Sequence, residues 1–190
     1  MAFTMVAFGE MLWDLLPSGR VLGGAPFNFA HRVAGIGNRG IMISRLGNDA
    51  LGREALAAMR TLGMDTACIQ ADTVHPTGTV PVSLDAAGSP LYTILPDVAY
   101  DHIALTPEME AAVARADCLC FGTLVQRSPV SAATLHRLLS RYHGRIRLLD
   151  LNLRRDCWTP ESVRSSIERA DVLKLNDDEA AVVASFFGLA

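Results

Sequence analysis

Short apolar runs of strand length alternate along the chain with stretches whose apolar residues recur every three or four positions. The strand-like runs are Thr4 to Phe8, Ile41 to Arg45, Cys118 to Phe121, Ile146 to Leu149 and Val172 to Leu175. Between them, Leu51, Ala55, Leu56, Met59 and Leu62 give Ala50 to Leu62 a helical period, and Gly63 is suited to the left-handed stop that ends a helix. Val130 to Tyr142 and Pro160 to Arg169 repeat the pattern, the second with Thr159 as N-cap and Pro160 at the first helical position. Alternating strands and helices predict an α/β fold: a mainly parallel sheet, helices on both faces, right-handed crossovers.

Two stretches break this alternation, Met11 to Leu22 and Gly78 to Leu95. In the second, Thr79 to Ser83 and Leu91 to Ile94 read as strands around the turn Asp85-Ala86-Ala87-Gly88. Together the two stretches predict a small antiparallel sheet standing off the main one. Beside the carboxyl edge of an open α/β sheet, such a flap is either a lid over a ligand or an ordinary surface hairpin.

The 190 residues are 50% hydrophobic, enough for one domain with a substantial core. Seventeen Lys and Arg against twenty Asp and Glu leave no basic surplus for a nucleic-acid backbone, which argues against that partner. No stretch has 18 uninterrupted apolar residues and the first nine lack a basic leader, so a soluble, cytoplasmic protein away from membranes is expected. Cys68, Cys118, Cys120 and Cys157 contain no CxxC pair and read as buried thiols. The five histidines form no HExxH and no close cluster along the chain, which argues against a histidine metal site and leaves no direct metal ligand assigned.

Candidate chemistry gathers after the strands. Gly23-Gly24-Ala25-Pro26-Phe27-Asn28 opens a helix that closes at Gly37; paired glycines allow close backbone approach, and Asn28 offers a donor and an acceptor within the first turn. Asp14 follows the first strand, where a carboxylate can accept from two hydroxyls at once. Asp150, Asn152 and Arg154 follow Ile146 to Leu149 and, if extended, share one side. Lys174-Leu175-Asn176-Asp177-Asp178-Glu179 follows the last strand and opens a helix; capping accounts for Asp177 and Asp178 but less readily for Glu179. In a parallel sheet the ends of successive strands lie on one edge, so these groups are expected to converge.

The segment from Gly23 to Gly37 resembles the N-terminal signature of the ribokinase-like (PfkB) carbohydrate kinases. Further segments agree in order: Gly9-Glu10 with Asp14, Arg45-Leu46-Gly47-Asn48-Asp49 with Gly52, Pro76-Thr77-Gly78-Thr79, Val98-Ala99-Tyr100-Asp101, Phe121-Gly122-Thr123-Leu124, Asp150 to Arg154, and Lys174 to Glu179. The resemblance spans essentially residues 1–190 and is closest to the fructokinases. It implies a three-layer α/β/α ribokinase-like fold with a β-sheet lid formed by residues of about 11–22 and 78–101. It implies that Asp14, Gly24 and Asn28 hold sugar hydroxyls and Gly23 permits the close approach. Tyr92 and Ile94 would belong to the lid, Tyr100 and Asp101 would lie near the sugar, and Arg154 would approach the sugar or the transferred phosphate. Asn176 and Glu179 match an Asn-x-x-Glu motif that organises magnesium and the ATP phosphates, with Lys174 beside it.

The implied activity is transfer of the γ-phosphate of ATP to a sugar hydroxyl, with fructose as substrate and 2-keto-3-deoxygluconate as the near alternative. ATP and Mg2+ are the implied cofactors of the full-length enzyme, with a monovalent cation as a further candidate, and a homodimer pairing lid to lid is the implied assembly. The family's Gly-Ala-Gly-Asp motif, which carries the catalytic base, does not occur in these 190 residues. The expectation is therefore a chain lacking the C-terminal part, with no catalytic residue of its own and inactive alone; a non-catalytic sugar-binding or pairing fragment is the reading from another class. A Rossmann oxidoreductase is disfavoured, since no GxGxxG follows the first strand.

Overall fold

The computed structural model describes residues 2–84 and 90–188. In chain order, β1 (Thr4–Phe8), β2 (Leu12–Leu16) and β3 (Gly19–Gly23) lead into α1 (Ala25–Gly35). Next come β4 (Arg39–Gly47), α2 (Ala50–Thr61), β5 (Ile69–Asp72), β6 (Gly78–Leu84) and β7 (Pro90–Tyr92). The chain continues with α3 (Pro107–Ala114), β8 (Cys118–Phe121), α4 (Pro129–Arg141), β9 (Ile146–Asp150), α5 (Pro160–Glu168), β10 (Val172–Lys174) and α6 (Asp177–Phe187). No helix among the described residues is long and apolar enough to cross a membrane.

β1 lies inside a six-stranded parallel sheet ordered β10-β9-β8-β1-β4-β5, with Val6 opposite Ile41 on one side and Leu119 on the other. Its uncharged sequence suits a strand covered on both faces. Alternation sends Val6 and Phe8 toward Met109, Leu135, Leu138 and Val163 of α3, α4 and α5, while Ala7 joins Phe27, Ala30, Ala55 and Met59 of α1 and α2. Helix, sheet and helix thus form the three layers expected. All four cysteines are free and buried, and burial raises the thiols of Cys68, Cys118 and Cys120, which keeps them unreactive.

The helix caps follow the sequence closely. Asp49 accepts the Gly52 N–H at 2.7 Å to start α2, and the Thr159 hydroxyl accepts the Ser162 N–H at 3.2 Å to start α5. Two elements lie outside the apolar pattern read above. β5, Ile-Gln-Ala-Asp, is an edge strand with one β-branched residue, and α3 is eight residues long with Thr106 as cap and Pro107 at its start.

The second sheet has the order β3-β2-β6-β7 and is mixed rather than antiparallel. β2 pairs antiparallel with β3, β6 pairs antiparallel with β7, and β2 and β6 run parallel with Leu12 opposite Gly78. The reason is topological: β2 follows β1 and β6 follows β5, so both leave the same edge of a parallel sheet in the same sense. Residues 99–102 form a buried 3-10 turn beneath this sheet rather than part of it, and the expected turn at Asp85 to Gly88 lies outside the described residues. The histidines also depart from their dispersal along the chain, because the rings of His75 and His102 stack 3.5 Å apart with Asp97 beside both.

α1 presses on β4 at Gly40, where an added methyl would run into the Ala30 carbonyl. Gly40→Ala is expected to lower the unfolding free energy by roughly 1–3 kcal/mol through overpacking, read as a lower urea midpoint. A wild-type midpoint would mean that the helix and sheet are not in such close contact.

Candidate functional site

Strand order reverses between β1 and β8. The chain steps from β1 to β4 and β5 on one side, then returns to β8, β9 and β10 on the other, so the loops leaving β1 and β8 diverge and open a crevice at the carboxyl edge. A cavity of about 600 Å³ fills it, within the usual size of a small-molecule site. Its floor comes from Glu10, the first turn of α1 and the segment after β9; the second sheet roofs it with Asp14, Val80 and Tyr92, joined by Ile94 just after β7.

Gly24 starts α1 at φ 111°, and a methyl there would lie 2.5 Å from the Glu10 carbonyl, so both backbone conformation and space demand glycine. This tight passage brings the helix N-terminus onto Glu10, whose Oε1 accepts the Ala25 N–H at 3.1 Å. Glu10 is 3% exposed. Burial pushes its carboxyl up to about 7, against the opposing pull of the backbone hydrogen bonds and Arg154, with Asp150 adding to the rise. Asp14 is also raised, by burial first, with Arg154 pulling it back.

Asp14, Gly24, Asn28, Tyr92, Ile94, Arg154 and Lys174 all line the cavity. Asp14 comes from β2, Asn28 from α1 and Arg154 from the segment after β9, so three separated stretches deliver a carboxylate, an amide and a guanidinium to one space. The Arg154 guanidinium lies 5.7 Å from the Tyr92 ring centroid, bridging floor to roof. Lys174 Nζ bonds Asp150 Oδ1 at 2.7 Å. Asp150, Asn152 and Arg154 face the cavity together, though not through extended alternation: Asn152 sits at φ 42°, a left-handed conformation that asparagine tolerates.

The remaining sequence candidates support the walls. Gly23 lies behind Asp14, where a methyl would come within 2.9 Å of the carboxylate. Tyr100 is fully buried against Gly78. Asp101 receives Arg127 Nε at 2.9 Å and Nη2 at 2.8 Å, and the same Nη2 donates to the Leu95 carbonyl at 2.7 Å, which ties the exit of the second sheet to the region after β8. Asn176 and Glu179 form a reciprocal cap: Asn176 Oδ1 accepts the Glu179 N–H at 2.8 Å and Glu179 Oε2 accepts the Asn176 N–H at 2.9 Å. Glu179 Oε1 accepts the Leu153 N–H at 2.7 Å. Capping therefore does account for Glu179, and its second oxygen fixes the segment that carries Arg154.

Glu10 was absent from the candidate residues above, appearing only within a motif. Its signal was available: it is the only charged residue between Met5 and Trp13, and a carboxylate inside an apolar run must have a partner.

A family model described as pfkB family carbohydrate kinase matches residues 19–187. An uncharacterized sugar kinase of Pyrococcus horikoshii is 30% identical over 94% of this chain and 64% of its own length; a fructokinase of Klebsiella pneumoniae is 30% identical over 93% of this chain and 61% of its own. The chain thus spans less than two thirds of these curated relatives. The crystal structure of the Pyrococcus horikoshii protein in complex with ATP superposes with a TM-score of 0.84 at 28% identity, covering 95% of this chain and 66% of that one. A Xylella fastidiosa fructokinase with bound ATP shares the fold at a TM-score of 0.85 and 24% identity, over 97% of this chain and 61% of that one.

Because Glu10 holds its proton to about pH 7 when folded and to about 4.5 when unfolded, stability falls as pH rises through that window and levels off above it. Glu10→Gln keeps an acceptor for the Ala25 N–H and has no proton to lose. Across pH 4.5 to 7 its unfolding free energy is expected to gain roughly 3 kcal/mol relative to wild type, measured by urea denaturation at several pH values. Parallel profiles for the two proteins would refute the buried-acid assignment.

Proposed function

The chain belongs to the pfkB family of carbohydrate kinases, and from that premise we propose that it carries the sugar-recognition half of an ATP-dependent sugar kinase acting on fructose. The observation that supports this reading most is the delivery of Asp14, Asn28 and Arg154 from three separate stretches into one cavity at the strand-order reversal. A carboxylate that accepts from two hydroxyls and an amide that both donates and accepts suit a polyhydroxylated ring.

In the reaction a sugar hydroxyl oxygen bonds to the γ-phosphorus of ATP, the bond from that phosphorus to the bridging oxygen breaks to release ADP, and the hydroxyl proton leaves to a base. Such transfer depends on positioning and charge neutralisation more than on covalent help from the protein. Asp14 and Asn28 would orient the hydroxyls. Arg154 and Lys174, on the cavity wall, would face the phosphate side and offset its charge. Magnesium would supply further neutralisation. Asn176 and Glu179 hold α6 and the Leu153 segment in place, and the lone pairs left on the Glu179 carboxylate would help organise magnesium and the ATP phosphates.

These residues include no Gly-Ala-Gly-Asp segment, so recognition rather than proton removal is the part assigned to this chain. A lid-to-lid homodimer belongs to the same reading. Val21, in register with Asp14, and Leu91, on the opposite face, are 53% and 52% exposed and give the second sheet apolar surface on both sides. An acidic sugar such as 2-keto-3-deoxygluconate is the second reading, favoured by Arg32 and Arg154 lining the cavity, where they would meet its carboxylate.

Calorimetric titration of the chain with fructose and with 2-keto-3-deoxygluconate tests the assignment. Asp14→Ala and Asn28→Ala are each expected to weaken binding of the preferred sugar by about tenfold or more, with nucleotide affinity unchanged. Unchanged sugar affinity in both would reject the site. Sugar-dependent ADP release by this chain at the rate of an intact sugar kinase would reject its restriction to recognition.

A further inference from the structure

A second cluster of chemically capable side chains lies apart from the cavity, at the root of the second sheet. His75 stands at the entry to β6, and Asp97 and His102 follow β7, so the cluster closes the base of the excursion that holds both strands. His75 Nε2 lies 3.6 Å and His102 Nε2 2.9 Å from the same Asp97 oxygen, and all three ligand atoms fall within 4.8 Å of one another.

The hydrogen bonding behind His75 gives this cluster its direction. Its Nδ1 lies 3.0 Å from Asp72 Oδ2, and Asp72 is buried. That contact fixes the ring and turns its Nε2 toward Asp97. His75 Nε2 and the Asp97 carboxylate then face each other across 3.6 Å. A buried carboxylate orienting a histidine whose other nitrogen faces outward is the arrangement that supports metal-ligating histidines.

We propose that His75, Asp97 and His102 form a binding site for one first-row transition-metal ion of the zinc(II) type, which clamps the two ends of the segment bearing β6 and β7. A tetrahedral ion with bonds of about 2.0–2.1 Å sets its donors about 3.3 Å apart, and the separations of 2.9 and 3.6 Å bracket that value. Two imidazoles and one carboxylate suit zinc better than the hard oxygen-seeking cations. Three protein ligands leave the fourth position of the ion to water. Binding requires the rings to open from their stack, now 11° from parallel. Among the described residues the His102 ring bonds only to Asp97, so it is the ring that moves. The site is independent of the sugar-kinase reading, since none of its three ligands lines the cavity.

The test is equilibrium dialysis of chelator-stripped protein against zinc, with bound metal quantified. Wild type is expected to take up one ion per chain, and His75→Ala and His102→Ala to lose affinity by about tenfold or more. Asp97→Asn is the decisive variant: Asp97 is exposed at φ 56°, a conformation asparagine shares, so the change removes the charge without disturbing the backbone. His136→Ala, outside the cluster, should bind as wild type does. At the same zinc concentration, Tm should rise in wild type and His136→Ala and rise less in the three ligand variants. Cobalt bound in place of zinc should give the absorption of a tetrahedral site. Absence of stoichiometric uptake, or uptake that survives Asp97→Asn undiminished, would overturn the proposal.

Discussion

The cavity depends on one close contact: the N-terminus of α1 docked on the Glu10 side chain through the glycine passage at Gly24. α1 has no side-chain cap of its own and no acidic residue in its first turn, so Glu10, distant in sequence, supplies the acceptor that its free Ala25 N–H requires. The contact is a compromise. The positive end of the helix and the hydrogen bond favour the carboxylate, whereas burial favours the acid, and burial wins. Because the same helix turn carries Asn28 and the same chain segment runs on to Asp14, two of the groups facing the cavity take their positions from this joint.

Much of the main sheet was legible because its strands are apolar on both faces. Thr4 to Phe8 and Cys118 to Phe121 coincide with β1 and β8, while β4 extends beyond Ile41 to Arg45 at both ends. The residues added at those ends are Arg39, Gly40, Leu46 and Gly47, and the glycines interrupt an apolar pattern without interrupting pairing. β5 escaped notice because an edge strand pairs on one side only and needs little apolar sequence. The mixed character of the second sheet was not legible at all, since the parallel pairing of β2 with β6 arises from where β1 and β5 end, not from anything within either strand.

For the site, sequence separated polar residues that follow strands from those that do not, which sufficed to gather Asp14, Asn28, Arg154 and Lys174. It did not distinguish a residue that faces the cavity from one that secures its wall. Tyr100 and Asp101 are adjacent to the site in sequence pattern, yet the first is core and the second is engaged by Arg127. Glu179 has the opposite ambiguity, having been set apart from capping when it is half of a cap. Such distinctions turn on which partner arrives from elsewhere in the chain, as Arg127 and Leu153 do, and periodicity carries no trace of that. The pairing of His75 with His102 was hidden for the same reason.

These partners also make the roof unequally held. At its root, only Gly9, Glu10 and Met11 separate β1 from β2. Thr77, just before β6, gives its N–H to Asp49 Oδ2 at 2.8 Å while its hydroxyl accepts the Gly47 N–H at 3.0 Å. At the exit from β7, Arg127 spans Asp101 and the Leu95 carbonyl. Across the cavity mouth stands the Arg154 contact with an exposed Tyr92, a type of interaction worth about 0.5–1 kcal/mol. Charge-assisted hydrogen bonds at the root contribute about 1.5–3 kcal/mol each, so the two sides differ severalfold in strength. Of the described contacts that join floor and roof, the one between Arg154 and Tyr92 is therefore the weakest, and separating the two would release the guanidinium into the cavity.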